Sequence, residues 1–135
     1  MYELRQPLLV CLKIDDPLTE AIIGAAMKVR HAMGVGLFEL PYHTFLLIEL
    51  RKLNLAFVSQ AILPVVYEGV EVKLGYRPDL IVEDKVIVEL KTVTAILPAH
   101  EAQILTYMRL SEKKVGLLLN MHAVPFSSGI RRFVL

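Results

Sequence analysis

Apolar residues at positions 22, 23, 26, 29 and 33 recur at the three-to-four-residue interval of one helical face. Asp16-Pro17 ahead of them makes a helix start, with Asp as N-cap and Pro at the first helical position, and Gly34 and Gly36 supply the stop. A second helix is predicted over 41–53, with Asn54 as its C-cap and Pro41 in the first turn, since a proline deeper inside would break it. From Phe57 the pattern changes to alternating and β-branched residues. Strands are predicted over 57–63, 65–67, 70–74, 80–83 and 86–91, with turns at Glu68-Gly69 and 83–85. Pro98 opens a third helix reaching Ser111; 115–120 reads as a buried strand and 130–135 as a short final one. The first fourteen residues are the least readable, because 8–12 fits a strand or a terminal arm equally well. This order predicts one α/β (mixed α+β) domain over 1–135, with a central mixed sheet flanked by helices and residues 1–16 as an arm.

Composition narrows the class. The chain has 135 residues, 55% of them hydrophobic, and a mean hydropathy of +0.52. No run of 18 apolar residues exists to span a bilayer, and the longest uncharged stretches, 53–67 and 115–130, are broken by polar residues, Pro and Gly. No membrane partner is expected. The excess apolar surface predicts a deep core, an oligomer contact or both, so a homodimer or another protein partner is the expected assembly. Met1-Tyr2-Glu3 lacks the basic start of a signal peptide, and the single Cys11 excludes an internal disulfide, so the expected location is the cytoplasm. Fifteen basic against fourteen acidic residues give a net charge of +1. That balance tells against tight, independent binding of nucleic acid, which draws most of its affinity from phosphate contacts.

Candidate chemistry starts at Pro78-Asp79, followed ten residues later by Glu89-Leu90-Lys91. On a strand, residues two apart share a face, so Ile87, Glu89 and Lys91 point one way. Two carboxylates beside an ammonium group can hold a water-rich divalent cation and shield a phosphate, which is the working end of a phosphodiesterase. An amphipathic strand whose Glu and Lys merely meet water has the same sequence. The turn between the strands separates the two readings. A two-residue loop sets Asp79 against Leu90, on the wrong face; an odd loop or a bulge sets it against Glu89 or Lys91. Glu39 stands near a helix N-terminus, where the dipole alone would favour a carboxylate. His100, Gln103 and Tyr107 fall on one stripe of the third helix, a layout that serves a site or ordinary surface.

Taken together, Pro78-Asp79 and Glu89-Leu90-Lys91 resemble the PD-(D/E)XK nuclease motif. Gln103-Ile104-Leu105-Thr106-Tyr107 is similar to the Q-x-x-x-Y helix motif of RecB-like nucleases. Gly36-x-x-Glu39-x-x-Tyr42 resembles the signature of the small GxxExxY proteins, a branch of that superfamily. The flanking strings Ile22-Ile23-Gly24-Ala25-Ala26, Gly75-Tyr76-Arg77 and Gly129-Ile130-Arg131-Arg132 agree, and the resemblance covers about residues 18–134. Pro41 and His43 depart from the signature, His43 standing where an acidic residue is usual.

The resemblance implies a restriction-endonuclease-like core and a nuclease that uses Mg²⁺ or Mn²⁺ on nucleic acid, with DNA the expected substrate. It implies Asp79, Glu89, the Leu90 carbonyl and Glu39 as metal ligands, and Lys91 as the group that activates water or shields the phosphate. Gln103 and Tyr107 would position Lys91 or the phosphate, with His100 beside them. The alternative is a catalytically silent scaffold or interaction subunit that keeps the fold. Arg51, Lys52, Lys113, Arg131 and Arg132 gathered around the carboxylates would favour catalysis; the same charges scattered would favour the scaffold.

Overall fold

The structure, a computed structural model, describes residues 16–135, so the expectations for the N-terminal arm lie outside the described residues. Helix α1 spans Pro17–Met33. Asp16 caps it by accepting the Leu18 N–H at 3.0 Å, and Gly34, at φ 70°, closes it by donating to the Arg30 carbonyl. Helix α2 spans Glu39–Lys52, starting two residues before the expected position. Pro41 is therefore its third residue, where no N–H has an intrahelical partner to lose. The C-cap is Leu53, one place before the Asn54 expected from sequence, and Asn54 follows it at φ 55°.

Seven strands follow the helices: β1 Phe57–Ser59, β2 Leu63–Tyr67, β3 Val70–Tyr76, β4 Leu80–Val82, β5 Val86–Lys91, β6 Val115–Asn120 and β7 Ile130–Val134. Helix α3, Pro98–Ser111, crosses from β5 to β6. The single strand expected over 57–63 is two strands in different sheets. Gln60 adopts a left-handed φ of 52°, and its N–H donates to the Asp79 carbonyl, which ends β1 and turns the chain away. The main sheet has the order β1-β4-β5-β6-β7, with β2 and β3 forming a separate hairpin. Every pair is antiparallel except β5–β6, the pair that needs the α3 crossover.

Strand alternation divides the interior in two. Val86, Val88 and Leu90 of β5 join a core with Ile22 and Val29 of α1 and Tyr42, Leu46 and Leu50 of α2. Ile87, on the opposite face, joins Leu63 of β2, Ile104, Tyr107 and Met108 of α3, and Phe133 of β7. Each fully buried large aliphatic side chain contributes roughly 1.5–3 kcal/mol. Gly116 of β6 lets α3 come close, since a Cβ there would meet Met108 Sδ at 2.6 Å. The result is a mixed sheet flanked by three helices, the fold class that the residue pattern predicts.

Candidate active site

β4 and β5 are joined by a three-residue turn, 83–85, in which Glu83 and Asp84 take left-handed φ values of 52° and 54°. The loop is odd. Leu80 pairs with Val88, and one further step of that register brings Asp79 beside Glu89. The two carboxylates interlock with the backbone: the Asp79 N–H donates to Glu89 Oε1 at 2.6 Å, and the Leu90 N–H donates to Asp79 Oδ2 at 2.7 Å. Because the N–H and C=O of one strand residue point toward the same neighbour, the Leu90 carbonyl also faces the Asp79 side.

Glu89 and Lys91 lie on the α3 face of the sheet. Lys91 Nζ donates to Gln103 Oε1 at 2.8 Å, and Gln103 Nε2 donates to the Tyr107 hydroxyl at 3.1 Å. The four-residue spacing of Gln103 and Tyr107 puts both on one stripe of α3. His100 does not join this chain: its Nδ1 accepts the Leu97 N–H at 3.0 Å and closes the start of the helix. Tyr107 also packs edge-on against Tyr76, with ring centroids 6.3 Å apart.

Charge in this corner is expensive. Glu89 is 3% exposed, and its carboxyl is pushed up to about 8, first by burial and then by Asp79 beside it. Lys91 Nζ lies 3.9 Å from Glu89 Oε2, beyond hydrogen-bond reach, and its attraction does not offset the burial. Burial also raises the Asp79 carboxyl, against the opposing effects of the Leu90 N–H, His43 and Lys91. Glu39 is raised by burial and then by Asp79, which places it within electrostatic reach of the pair. The Tyr107 hydroxyl is raised by burial and by Glu89.

A cleft of about 180 Å³ opens here, lined by Glu39, Leu40, His43, Gln60 and Asp79. A larger one, about 420 Å³, lies at the other end of the sheet among Asp16, Asp84, Lys85 and Lys113. It contains none of Glu39, Asp79, Glu89, Lys91, Gln103 and Tyr107, and Lys113 there is paired with Asp84 at 2.7 Å.

The G-x-x-E-x-x-Y string divides by task. Gly36 takes a φ of 102° that favours glycine, and the buried Tyr42 donates from its hydroxyl to the Gly34 carbonyl at 2.6 Å, tying the α1–α2 loop. Glu39 alone of the three lines the cleft. Two residues there had no role assigned from sequence. His43, 7% exposed, shares a hydrogen bond of 2.9 Å with Ser59; its four-residue spacing from Glu39 on α2 was the available signal. Gln60 had none, because only the β1–β4 pairing brings it to Asp79.

Among the described residues no three His, Cys, Asp or Glu side chains form a ready-made metal cage. Two carboxylates, a main-chain carbonyl and a neighbouring Glu39 are nonetheless a suitable donor set for a hard cation that retains several waters. The acids' raised affinity for protons reflects burial first and, for Glu89, the Asp79 carboxylate beside it, and a bound cation would favour the ionised forms of both.

A family model described as the PD-(D/E)XK nuclease superfamily matches residues 16–133. The chain belongs to that superfamily. The match runs from the cap of α1 into β7 and contains every residue of the cleft. No curated protein and no solved structure matches the chain significantly. Among the described residues no helix is long and apolar enough to cross a membrane.

Proposed function

We propose that this superfamily member is a divalent-metal-dependent nuclease of the GxxExxY branch, hydrolysing phosphodiester bonds with DNA as its preferred substrate. The observation that carries this is the interlocked pair of half-buried Asp79 and buried Glu89, with Lys91 beside it. Asp79 and Glu89 each have one oxygen engaged by a backbone N–H. The second oxygen of each, with the Leu90 carbonyl and Glu39, would hold Mg²⁺ or Mn²⁺. When bound, the ion supplies an acidified water and positive charge beside the phosphate. Lys91 neutralises charge growing on the phosphate, while Gln103 holds the ammonium and Tyr107 holds the amide. His43 and Gln60 line the cleft with Glu39 and Asp79.

Calorimetric titration of Mn²⁺ and Mg²⁺ into wild type and Asp79→Ala tests the site, followed by cleavage assays on DNA and RNA. Binding is expected in the wild type and not in the variant. It should release protons near pH 7, because the acid held at about 8 must give its proton up. Lys91→Ala should retain metal binding and lose at least 100-fold in cleavage, within the roughly 10²–10³ range for removing one electrostatic stabiliser. Full activity in that variant would remove the lysine from the mechanism.

One observation favours the second reading, a catalytically silent scaffold. Arg51 stacks over Phe57, with its guanidinium 5.3 Å from the ring centroid, and Lys52 pairs with Glu49, both at the far end of α2 from Glu39. Lys113 pairs with Asp84 at the hairpin tip, and Arg132 with Asp16 at the start of α1. Arg131 alone shares a row with Glu89, through Leu118, and its guanidinium donates to the Ser128 and Ile130 carbonyls. Absence of metal binding at millimolar concentration would decide for the scaffold.

A further inference from the structure

We propose that Phe38 is a stacking platform for an unpaired base, making single-stranded or frayed nucleic acid the substrate class of this cleft. The inference rests on the nuclease reading above and adds to it which form of nucleic acid the site accepts.

Phe38 is 83% exposed, and it occupies the N-cap of α2. Ser, Thr, Asp and Asn are the residues that satisfy the free N–H groups at that position, and replacing one by an apolar residue typically costs about 1 kcal/mol. Here the helix has no side-chain cap, and an aromatic ring stands in water. Departures from local stability rules of this kind concentrate at functional sites. The backbone that carries the ring is also anchored through its neighbours. The Leu37 carbonyl bonds His122 Nε2 at 2.7 Å, and Tyr42 ties the same loop to Gly34. A pre-positioned aromatic loses little freedom on binding.

Its location relates it to the cleft. Phe38 directly precedes Glu39, and Leu40, 68% exposed, lines the cleft with Glu39 and Asp79. Leu97 repeats the arrangement at the start of α3: an apolar N-cap, 54% exposed, six residues after Lys91. A strand with its phosphate beside Asp79 and Glu89 would bring a neighbouring base to this apolar rim.

Charge selects the occupant. Arg51, Lys52, Lys113 and Arg132 lie away from the cleft and are engaged elsewhere, so among the described residues these cations do not form a row beside the cleft to grip duplex phosphates. Stacking on an aromatic ring supplies affinity without those contacts and tolerates any base. Inside a duplex both faces of each base are already stacked, so only unpaired or terminal bases can use the ring.

The test compares Lys91→Ala, as a non-cleaving parent, with the same protein carrying Phe38→Ala or Phe38→Trp. Fluorescence anisotropy would report binding of a labelled single strand and a hairpin duplex of matching sequence in Mg²⁺. The Phe38→Ala protein should bind the single strand about tenfold more weakly than the parent, with Phe38→Trp restoring affinity. Unchanged single-strand affinity, or equal losses on single strand and duplex, would overturn the stacking role. If wild type cleaves single strands while Phe38→Ala binds like its parent, the stacking role alone fails. If wild type neither binds nor cleaves any nucleic acid, the nuclease reading fails and the stacking role with it. Loss of self-association in Phe38→Ala by sedimentation, with strand affinity unchanged, would assign the ring to a protein contact instead.

Discussion

Glu89 occupies a place where burial works against ionisation, and the consequence is a pH dependence of stability. Its folded value of about 8 stands above the ordinary 4.5, so between those limits the folded chain holds a proton that the unfolded chain releases. The stabilisation is therefore fully present below about pH 4.5 and lost as pH rises toward 8. Asp79 and Glu39 are shifted in the same direction. Asp16, lowered chiefly by its bond to Thr19, acts in the opposite sense but at more acid pH, outside this window. In chelator, the Tm of the wild type should fall between pH 5 and pH 8. Glu89→Gln keeps an acceptor for the Asp79 N–H, so it should flatten that fall and melt higher than wild type at pH 8 by about 4 °C, the shift expected of roughly 1 kcal/mol. A level wild-type profile would mean that Glu89 ionises freely. Bound Mn²⁺ should reverse the order of the two proteins at pH 8.

At the scale of elements, one side chain holds the loop leaving β5. Asn120, 2% exposed at the end of β6, accepts the Val93 and His122 N–H groups and donates to the Val93 carbonyl. The next residue, Met121, donates its N–H to the Lys91 carbonyl at 2.8 Å. The strand end bearing Lys91 is thus clamped to the end of β6. Asn120→Ala would leave buried backbone groups unpaired and should cost about 1–3 kcal/mol in urea unfolding, with the m-value unchanged. A loss under about 0.5 kcal/mol would show that water takes over those bonds. Nothing in the sequence singled out this asparagine, because Val93, with which it makes two of its three bonds, lies 27 residues away in the chain. The elements themselves were far more legible. Helix α3 and strands β5 and β6 coincide with their expected bounds, since Pro98 and the apolar alternation are local signals. The misjudged strand over 57–63 failed at Gln60, whose left-handed turn is supported by a hydrogen bond to Asp79, nineteen positions on.

For the whole molecule, charge placement bears on affinity. Net charge is +1, and of the five cations expected to report on the cleft only Arg131 shares a sheet row with Glu89. Among the described residues, exposed Arg77, just before Pro78-Asp79, and half-buried Lys91 are cations next to the acidic pair in the chain. Two phosphate contacts imply a slope of about −2 for log affinity against log salt on duplex DNA. Titrations between 50 and 200 mM salt, read by anisotropy, would measure it. A slope near −6 would reveal a basic surface that the described residues lack. Val66, Tyr67 and Val70 on the β2–β3 hairpin and Phe38 and Leu40 on either side of Glu39 are among the exposed large hydrophobics, with others such as Met27, Ile48, Val58 and Val124 elsewhere on the surface. The high hydropathy is thus not explained by the core alone.

The limits of α1 and α3, strand alternation and the order of the chemical groups were determined by the sequence itself. Caps, proline and glycine act within a few residues, and the period-two pattern of β5 separates Glu89 and Lys91 from Leu90 on any sheet. Tertiary structure alone decided that the turn at 83–85 is odd, and therefore that Asp79 meets Glu89 and not Leu90. It alone brought His43 and Gln60 to the cleft, sent the β2–β3 hairpin out of the main sheet and dispersed the cations. The physical reason is distance along the chain. Strand neighbours are fixed by pairings such as Phe57 with Val82 and Lys91 with Asn120, far apart in the chain, and the energies that choose among them arise only when both cores are packed.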